Sequence, residues 1–140
     1  MKLLSLVLFA FLPLQTASAN LLGTWTAEKD GTTFVRLEFR STGNSLAGAL
    51  AVGNHSFDEN GNPKTVSPAS RPLSPLTEIS TEDGVLSFVW QPDNERERFR
   101  FRLIGENAAE LTFLPSEELL EELKDEGIPA PRPIALRKSR

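Results

Sequence analysis

The sequence predicts an all-β domain, folded as an eight-stranded antiparallel meander barrel with one short helix before the last strand. Apolar and polar residues alternate with a period of two through most of the chain after residue 20, as in strands that bury one face. Turn residues such as Asp-Gly and Gly-Asn separate most of these segments by two to four positions, so neighbouring strands should pair as hairpins. The candidate strands are residues 21–28, 33–41, 45–52, 76–82, 85–91, 95–104, 109–114 and 133–138.

Closure of the meander leaves no unpaired strand edge, and this favours a barrel over an open two-sheet sandwich, which is the alternative arrangement. A barrel of about eight strands encloses either a packed side-chain core or one small ligand. The number of strands therefore leaves open whether the interior is filled.

Residues 1–19 have the pattern of a cleaved secretory signal peptide. Its parts are a basic start, an apolar run, a helix breaker and small residues at the cleavage positions: Met1-Lys2, Leu3 to Leu12, Pro13 and Ala17-Ser18-Ala19. The apolar run is too short to span a bilayer as a finished helix. We therefore expect residues 20–140 to be a single β-barrel domain that is secreted or periplasmic, in a bacterium.

Composition argues against several classes of function. The chain has a formal net charge of −4, and an acidic domain is a poor candidate for binding nucleic acid, which requires clustered Lys and Arg. It has no Cys, which excludes thiol catalysis, disulfides and Cys-ligated metals. No apolar stretch after residue 20 has the length of a transmembrane helix. We expect no nucleic-acid partner, no stable membrane span, no metal and no cofactor.

The first three strands predict where the barrel bends and where it is buried. Gly23-x-Trp25 places a glycine beside a large aromatic residue, as in a strand that bends at a barrel end. In the second strand Val35, Leu37 and Phe39 alternate with polar residues, so one face is buried. In the third strand Gly48 lies among alanines, which leaves both faces smooth and hints at free volume inside.

Residues 53–75 interrupt the meander. Four prolines and two glycines predict irregular structure, within which Asn60-Gly61 could close a small hairpin. Connections of this length are uncommon in compact domains and are often functional. We interpret the segment as a lid over the open end of the barrel.

The clearest strand covers residues 95–104, where four arginines face one way and apolar residues face the other: Arg96, Arg98, Arg100 and Arg102 against Phe99, Phe101 and Leu103. The expected role of the arginines is a solvated face with carboxylate partners, such as Glu38 or Glu110, on other strands. An anionic ligand, such as a phosphate or an acidic polysaccharide, is the alternative.

Residues 115–127 change to helical spacing. Pro115 or Ser116 begins the helix, acidic residues fill its first turn and Gly127 ends it. Its apolar residues form one narrow stripe, made of Leu119, Leu120 and Leu123. The final strand follows after a proline-rich, extended segment.

These features resemble the lipocalin/calycin superfamily: an opening Gly23-x-Trp25, an eight-stranded meander, a late helix and a final strand that carries Arg137. The resemblance implies that Trp25 packs inside the closed end of the barrel and that a basic residue lies across its ring. Arg137 is the first candidate for that residue and Lys138 the second. The resemblance also implies the usual task of the family, which is to carry a small apolar molecule.

The loop residues offer little chemistry. His55 is the only histidine and is expected to be solvated, because no base or acid partner for it can be identified in sequence. Asp58 to Asn62 has alternating oxygen donors but lacks the glycine and glutamate spacing of a calcium loop, so a turn is expected. Asn54-His55-Ser56 fits the glycosylation acceptor pattern and is expected to be unmodified in a bacterium.

The aromatic residues indicate either a filled core or the wall of a cavity. Our first hypothesis is a non-enzymatic, exported, lipocalin-like protein that binds a small apolar or amphipathic ligand in a cavity lined by Leu50, Phe88, Trp90 and Phe101. The alternative is a solid-core barrel that serves as a protein–protein interaction module in the bacterial envelope. An enzyme ranks third among the hypotheses, since the sequence contains no nucleophile motif, no His pair and no clearly spaced pair of acids.

Overall fold

A computed structural model describes residues 20–69 and 72–139, so the predicted signal peptide lies outside the described residues. These residues form ten strands and one helix. The strands are β1 (Gly23–Lys29), β2 (Thr32–Thr42), β3 (Ser45–Val52), β4 (His55–Phe57), β5 (Pro63–Val66), β6 (Ser74–Glu82), β7 (Val85–Trp90), β8 (Glu97–Leu103), β9 (Ala108–Leu114) and β10 (Ile134–Lys138); the helix is α1 (Glu117–Asp125).

Eight of the strands form a closed antiparallel barrel in the order β1-β10-β9-β8-β7-β6-β3-β2, which confirms the predicted fold class. Each strand pairs with its neighbours in the meander, and β10 returns to β1 to close the barrel. Thr26 of β1 lies opposite Arg137 of β10 in this closing pair. Strands β4 and β5 form a separate hairpin between β3 and β6, at the position where Asn60-Gly61 predicts one.

The junction of β3 and β6, which we call the seam, is sparsely paired, as is the closing β1–β10 junction. It consists of two registered pairs, Ala49 with Pro75 and Leu50 with Ser74, whereas β2 pairs with β3 along the whole strand. Side chains fill the remainder of the seam. A Cβ added to Gly48 would lie 2.8 Å from Cδ1 of Leu76. The Leu76 side chain therefore occupies the space that a side chain at position 48 would need.

Tight turns and the start of β1 close one end of the barrel around Trp25. Its indole Nε1–H donates a 2.9 Å hydrogen bond to the carbonyl of Leu21, and the residue is fully buried. Nζ of Lys138 lies 5.5 Å from the ring centroid and donates to the carbonyl of Asn20 at 3.2 Å. The cation over Trp25 is therefore Lys138 and not Arg137.

The register of the β1–β10 pair explains why Lys138, and not Arg137, lies over Trp25. Lys138 lies directly opposite Trp25, and opposed residues of an antiparallel pair point to the same face of the sheet. Arg137 lies opposite Thr26 instead and is exposed on the outer surface.

Aromatic side chains fill the middle of the barrel. Phe101 makes edge-on contacts with Trp25 at 5.3 Å and with Phe39 at 5.1 Å, and Phe39 contacts Phe88 at 6.2 Å. Leu50, Phe88 and Phe101 are each at most 2% exposed. Full burial of one such side chain contributes about 1.5–3 kcal/mol, so this packed layer contributes substantially to stability.

The β4–β5 hairpin is attached to the barrel at the other end, which we call the open end. The Gly53 N–H donates to the Phe34 carbonyl at 2.7 Å, and the Ala69 N–H donates to the Thr33 carbonyl at 2.9 Å. The chain also approaches itself closely here, because a Cβ on Gly53 would lie 1.9 Å from the Ser67 carbonyl oxygen. This contact leaves no room for any side chain at position 53.

Asp58 holds the turn of this hairpin. Its carboxylate accepts hydrogen bonds from the N–H groups of Asn60 at 2.9 Å and Asn62 at 3.0 Å. These two bonds lower the pKa of Asp58 below its ordinary value, because they stabilise the charged form.

Helix α1 has the predicted caps and also lies at the open end. The Ser116 hydroxyl accepts from the Leu119 N–H at 3.2 Å, and Gly127 takes a positive φ of 72° just after the helix. The Ile128 N–H donates back to the Leu123 carbonyl at 2.8 Å. Across the described residues, no helix has both the length and the apolar character needed to cross a membrane.

The arginines of β8 lie on the outer face, as the alternation predicts. Arg102 pairs with Glu110 of β9 at 2.6 Å, and Arg96 pairs with Glu78. All four carboxylate and guanidinium groups of these pairs are at least partly exposed to solvent. Such pairs contribute little to stability, typically about 0–1 kcal/mol.

Candidate functional site

The open end of the barrel contains a cavity of about 420 Å³. Its floor is the upper layer of the barrel interior, and its roof is formed by two segments that the sequence separates widely. These are the β4–β5 hairpin and the stretch from α1 to residue 132. The volume lies within the range of small-molecule sites, roughly 300–1,000 Å³.

The floor is mainly aromatic. Trp90 and Phe99 pack at 6.0 Å with their rings 70° apart, and Phe99 contacts Phe113 at 5.6 Å. The indole Nε1–H of Trp90 donates to the Leu50 carbonyl at 2.8 Å, which fixes the ring and satisfies its one polar atom. The cavity therefore has a rigid apolar wall.

The roof is also apolar on its inner side. Leu119 and Leu123 of α1 line the cavity and are half-buried, while Leu120 on the same helix is 40% exposed. The hairpin contributes Phe57. The two parts of the roof meet where a Cβ on Gly61 would lie 3.0 Å from the Ala130 carbonyl oxygen.

A few polar side chains lie at the cavity: Asn54, His55, Glu97 and Arg132. Glu97 is half-buried, whereas the other three are exposed. Burial raises the pKa of Glu97 above its ordinary value, the nearby Glu95 raises it further, and His55 acts in the opposite direction. The wall of the cavity thus contains one partly desolvated carboxyl group.

His55 is exposed, as expected, and lies at the edge of the cavity. Its Nδ1 is 3.1 Å from the Gly53 carbonyl oxygen. Its ring contacts Phe57 at 5.0 Å and Phe34 at 6.1 Å. These contacts place the His55 ring, at the start of β4, between Phe57 of the hairpin and Phe34 of β2.

The cavity differs from the one that the sequence analysis describes. Of the four predicted lining residues, Trp90 lines it, while Leu50, Phe88 and Phe101 belong to the packed core below. The reason is that the aromatic residues contact one another in the middle of the barrel, so this cavity lies above them, where the interior widens towards the roof.

Sequence reasoning missed Glu97, although a signal was present. Glu97 occupies the same alternate positions of β8 as Phe99, Phe101 and Leu103. The arginines occupy the other positions, so the alternation of β8 directs Glu97 inward. The roof residues gave no comparable signal, because no local pattern shows which distant segments meet.

A second depression, of about 480 Å³, lies along the seam and reaches the core residues Leu21 and Leu86. Leu46, Leu76 and Ile79 line it together with more polar residues such as Thr77 and Glu78. Half of its ten lining residues are polar, so the more apolar open-end cavity is the better candidate site. In residues 20–69 and 72–139, no cluster of three or more His, Asp or Glu side chains forms a metal site.

Comparison with known proteins gives no match to this chain, whether with protein-family models, with curated proteins or with solved structures.

Proposed function

We propose that this chain is an exported, non-enzymatic, calycin-type protein that binds a small apolar or amphipathic molecule in the open-end cavity. The observation that carries the proposal is the cavity itself: about 420 Å³, walled by Trp90, Phe99 and Phe113 and roofed by Leu119 and Leu123. An apolar pocket with a few polar groups at one side is the usual form of a small-molecule site.

The way the roof is built also supports binding. Helix α1 has no buried residue, and two of its three leucines face the cavity. A helix that buries so little of its apolar stripe gains contacts when a ligand fills the space below it. Ligand binding would therefore stabilise the roof, and the roof would shield the ligand from water.

The direct test uses a neutral, apolar fluorescent probe, N-phenyl-1-naphthylamine, and two variants of the same helix. Leu123→Trp places a large side chain in the cavity, and Leu120→Trp places the same side chain on the exposed face. We expect the wild type and Leu120→Trp to bind the probe and Leu123→Trp to lose binding. Equal binding by both variants, or no binding by the wild type, would show that the cavity is not a ligand site.

Mass spectrometry of protein purified gently from its own host identifies the ligand. A compound that is released on denaturation and is absent from Leu123→Trp would define the ligand class. The loss in this variant separates a cavity ligand from a molecule that adheres to the surface.

A second candidate function is a protein–protein interaction module, because the middle of the barrel is filled and apolar side chains are exposed beside the roof. Leu120 is 40% exposed and Ile128 is 41% exposed, which suits contact with a partner protein of the cell envelope. Pull-down with wild type and with Leu120→Glu tests this. A partner lost in Leu120→Glu but retained in Leu123→Trp would favour this function over ligand binding.

A further inference from the structure

We propose that the cavity takes a small organic cation, which is a molecule with an amine or quaternary ammonium group on an apolar body, and that the Glu97 carboxylate contacts the positive head group. The proposal rests on the function proposed above and defines the chemical class of its ligand. It is carried by the position of Glu97 in the cavity wall.

Glu97 lies beside the aromatic residues of the floor. It is the first residue of β8 and lies directly opposite Trp90 in the β7–β8 pair, so both side chains point to the same face. Phe99 follows two positions later on that face. A carboxylate next to Trp and Phe rings is a suitable environment for an organic cation, because aromatic faces also attract positive charge.

The other ionisable groups of the cavity lie further into solvent. His55 and Arg132 are exposed, and the stem of Arg132 packs by the hairpin turn, where a Cβ on Gly61 would lie 3.3 Å from its Cγ. Long basic side chains can line an apolar site with their stem while the charge stays in water. Arg132 therefore does not neutralise Glu97.

Glu97 also has no direct ion-pair partner. Among the residues that the structure describes, its carboxylate makes no ion pair and no side-chain hydrogen bond, and His55 attracts it electrostatically without bonding to it. Its pKa is raised because it has lost hydration and lies near Glu95. A half-buried carboxylate without a cation is unfavourable, and a bound ammonium group would supply the missing charge. An anionic head group at the same position would meet repulsion from two acids.

The experiment compares three molecules that share one alkyl chain: octyltrimethylammonium, octanol and octanoate. Titration calorimetry below their aggregation concentrations gives the affinity of each for the full mature protein. We expect the cation to bind roughly tenfold or more tighter than the alcohol, which is the usual size of a charge-assisted contact, and octanoate to bind weakest. Neutral octanol reports the apolar cavity alone.

Two variants locate the effect. Glu97→Gln keeps the size of the side chain and removes its charge, and it should abolish the preference for the cation, so that this variant binds the cation and octanol with similar affinity. Glu106→Gln removes one charge from an exposed turn at the closed end and should leave the preference intact. Equal affinity for all three molecules, or tightest binding of octanoate, would overturn the cation proposal. Failure of all three to bind would instead overturn the proposed ligand-binding function.

A pH series on the wild type gives a second readout if Glu97→Gln folds poorly. The charged groups around the head group are Glu95 beside Glu97, His55 from the hairpin and Arg132 from the segment before β10. Acidification protonates Glu97, whose pKa is raised, and this change weakens cation binding. Cation affinity should therefore fall as the pH is lowered from neutral towards the ordinary carboxyl value of 4.5, while octanol affinity stays constant. A preference for the cation that does not change with pH would contradict the proposal.

Discussion

At the residue scale, the register of β10 against β1 decides which of its two basic side chains lies over Trp25. Trp25 is fully buried at the closed end, and Lys138 lies across its indole ring and also bonds to the Asn20 carbonyl. The neighbouring Arg137 has a similar charge but points outward. A shift of one residue in the β1–β10 pair would exchange their roles.

Lys138→Met should therefore cost about 1–2 kcal/mol of unfolding free energy, from the lost cation–π contact and the lost hydrogen bond. Arg137→Met is the matched control, and it should change stability by less than about 0.5 kcal/mol, as exposed substitutions usually do. Urea denaturation followed by tryptophan fluorescence measures both. Equal losses in the two variants would argue against a special role for Lys138.

Glu97 should reduce the stability of the ligand-free protein at neutral pH. Because its pKa in the folded state is raised above the ordinary 4.5, the folded protein binds this proton more tightly than the unfolded chain. Stability then falls as the pH rises from the ordinary value through the raised folded value. Glu97→Gln should accordingly raise the Tm at neutral pH.

Thermal unfolding across a pH series tests this prediction, again with Glu106→Gln as the charge control. The Tm gain of Glu97→Gln should shrink on acidification and vanish below about pH 4.5, where Glu97 is protonated in both states. A gain that is independent of pH would mean that Glu97 affects stability through packing and not through its charge.

Individual residues also show what the sequence could and could not predict. The buried positions of β2 and β8 follow from alternation, since period-two patterns report which face is covered. The same alternation directs Glu97 inward, against the usual preference of a charged side chain for solvent. The choice between Arg137 and Lys138 depended on register between the first and last barrel strands, which no local pattern encodes.

At the element scale, the two parts of the roof, α1 and the β4–β5 hairpin, are held in place by their contacts with the rest of the protein. Neither is expected to be stable alone. Helix α1 has nine residues and buries none of them fully, and a helix of that length is marginal in water even with good caps. The hairpin is joined to the barrel through Gly53 and Ala69. Both elements should therefore open more readily than the barrel strands.

Gly53→Ala should detach the hairpin. The added methyl group would lie 1.9 Å from the Ser67 carbonyl oxygen, so the two chain segments must separate, at a cost of about 1–3 kcal/mol. Gly105→Ala is the control, since its methyl group would meet only the Ala108 Cβ at 3.8 Å. Neither glycine has a positive φ, so the comparison isolates the steric effect.

Amide hydrogen exchange measures the outcome of this pair. The Ser67 N–H, which donates to the Asn54 carbonyl at 2.8 Å, should exchange much faster in Gly53→Ala while amides of β8 keep their protection. Unchanged protection of Ser67 would show that the hairpin tolerates the methyl group. Loss of protection throughout the barrel would show that the hairpin is part of the cooperative core.

Elements were easier to predict than their assembly. The helix has a capping serine, acids in the first turn and a terminal glycine, and the hairpin has Asn60-Gly61, so local chemistry identifies both. Nothing local shows that Gly61 meets Ala130, because these residues are far apart in the chain. The hairpin was therefore predictable from the sequence, but its contact with the segment after α1 was not.

At the scale of the whole molecule, the packed core and the candidate site occupy different layers of the barrel. The packed aromatic layer around Phe101 occupies the middle, Trp25 closes one end and the cavity lies at the other. Changes at the roof should therefore alter binding with little effect on the core. The barrel itself was predictable because eight alternating segments with short turns have few other ways to remove their edges.

The seam should open before the β1–β10 junction, which also has two registered pairs but gains a hydrogen bond from the Ser139 N–H to the Thr24 carbonyl. Strands β3 and β6 share two registered pairs, and the Pro75 of one pair has no N–H to donate. Amides of Ser45–Gly48 that do not bond to β2 should exchange faster than those of β8, which is paired on both sides along its length. Uniform protection of β3 and β8 in a hydrogen-exchange experiment would refute this.

The closing pair has a further consequence for how the protein is made. Ser139 at the end of β10 bonds to Thr24 in β1, 115 positions earlier in the chain. During synthesis every preceding strand can pair with a neighbour, but until β10 emerges both β1 and β9 present bare edges that other unfinished chains can join. Closure is therefore the last pairing that can form, and a chain that lacks β10 would keep both of these edges open to pairing with other chains.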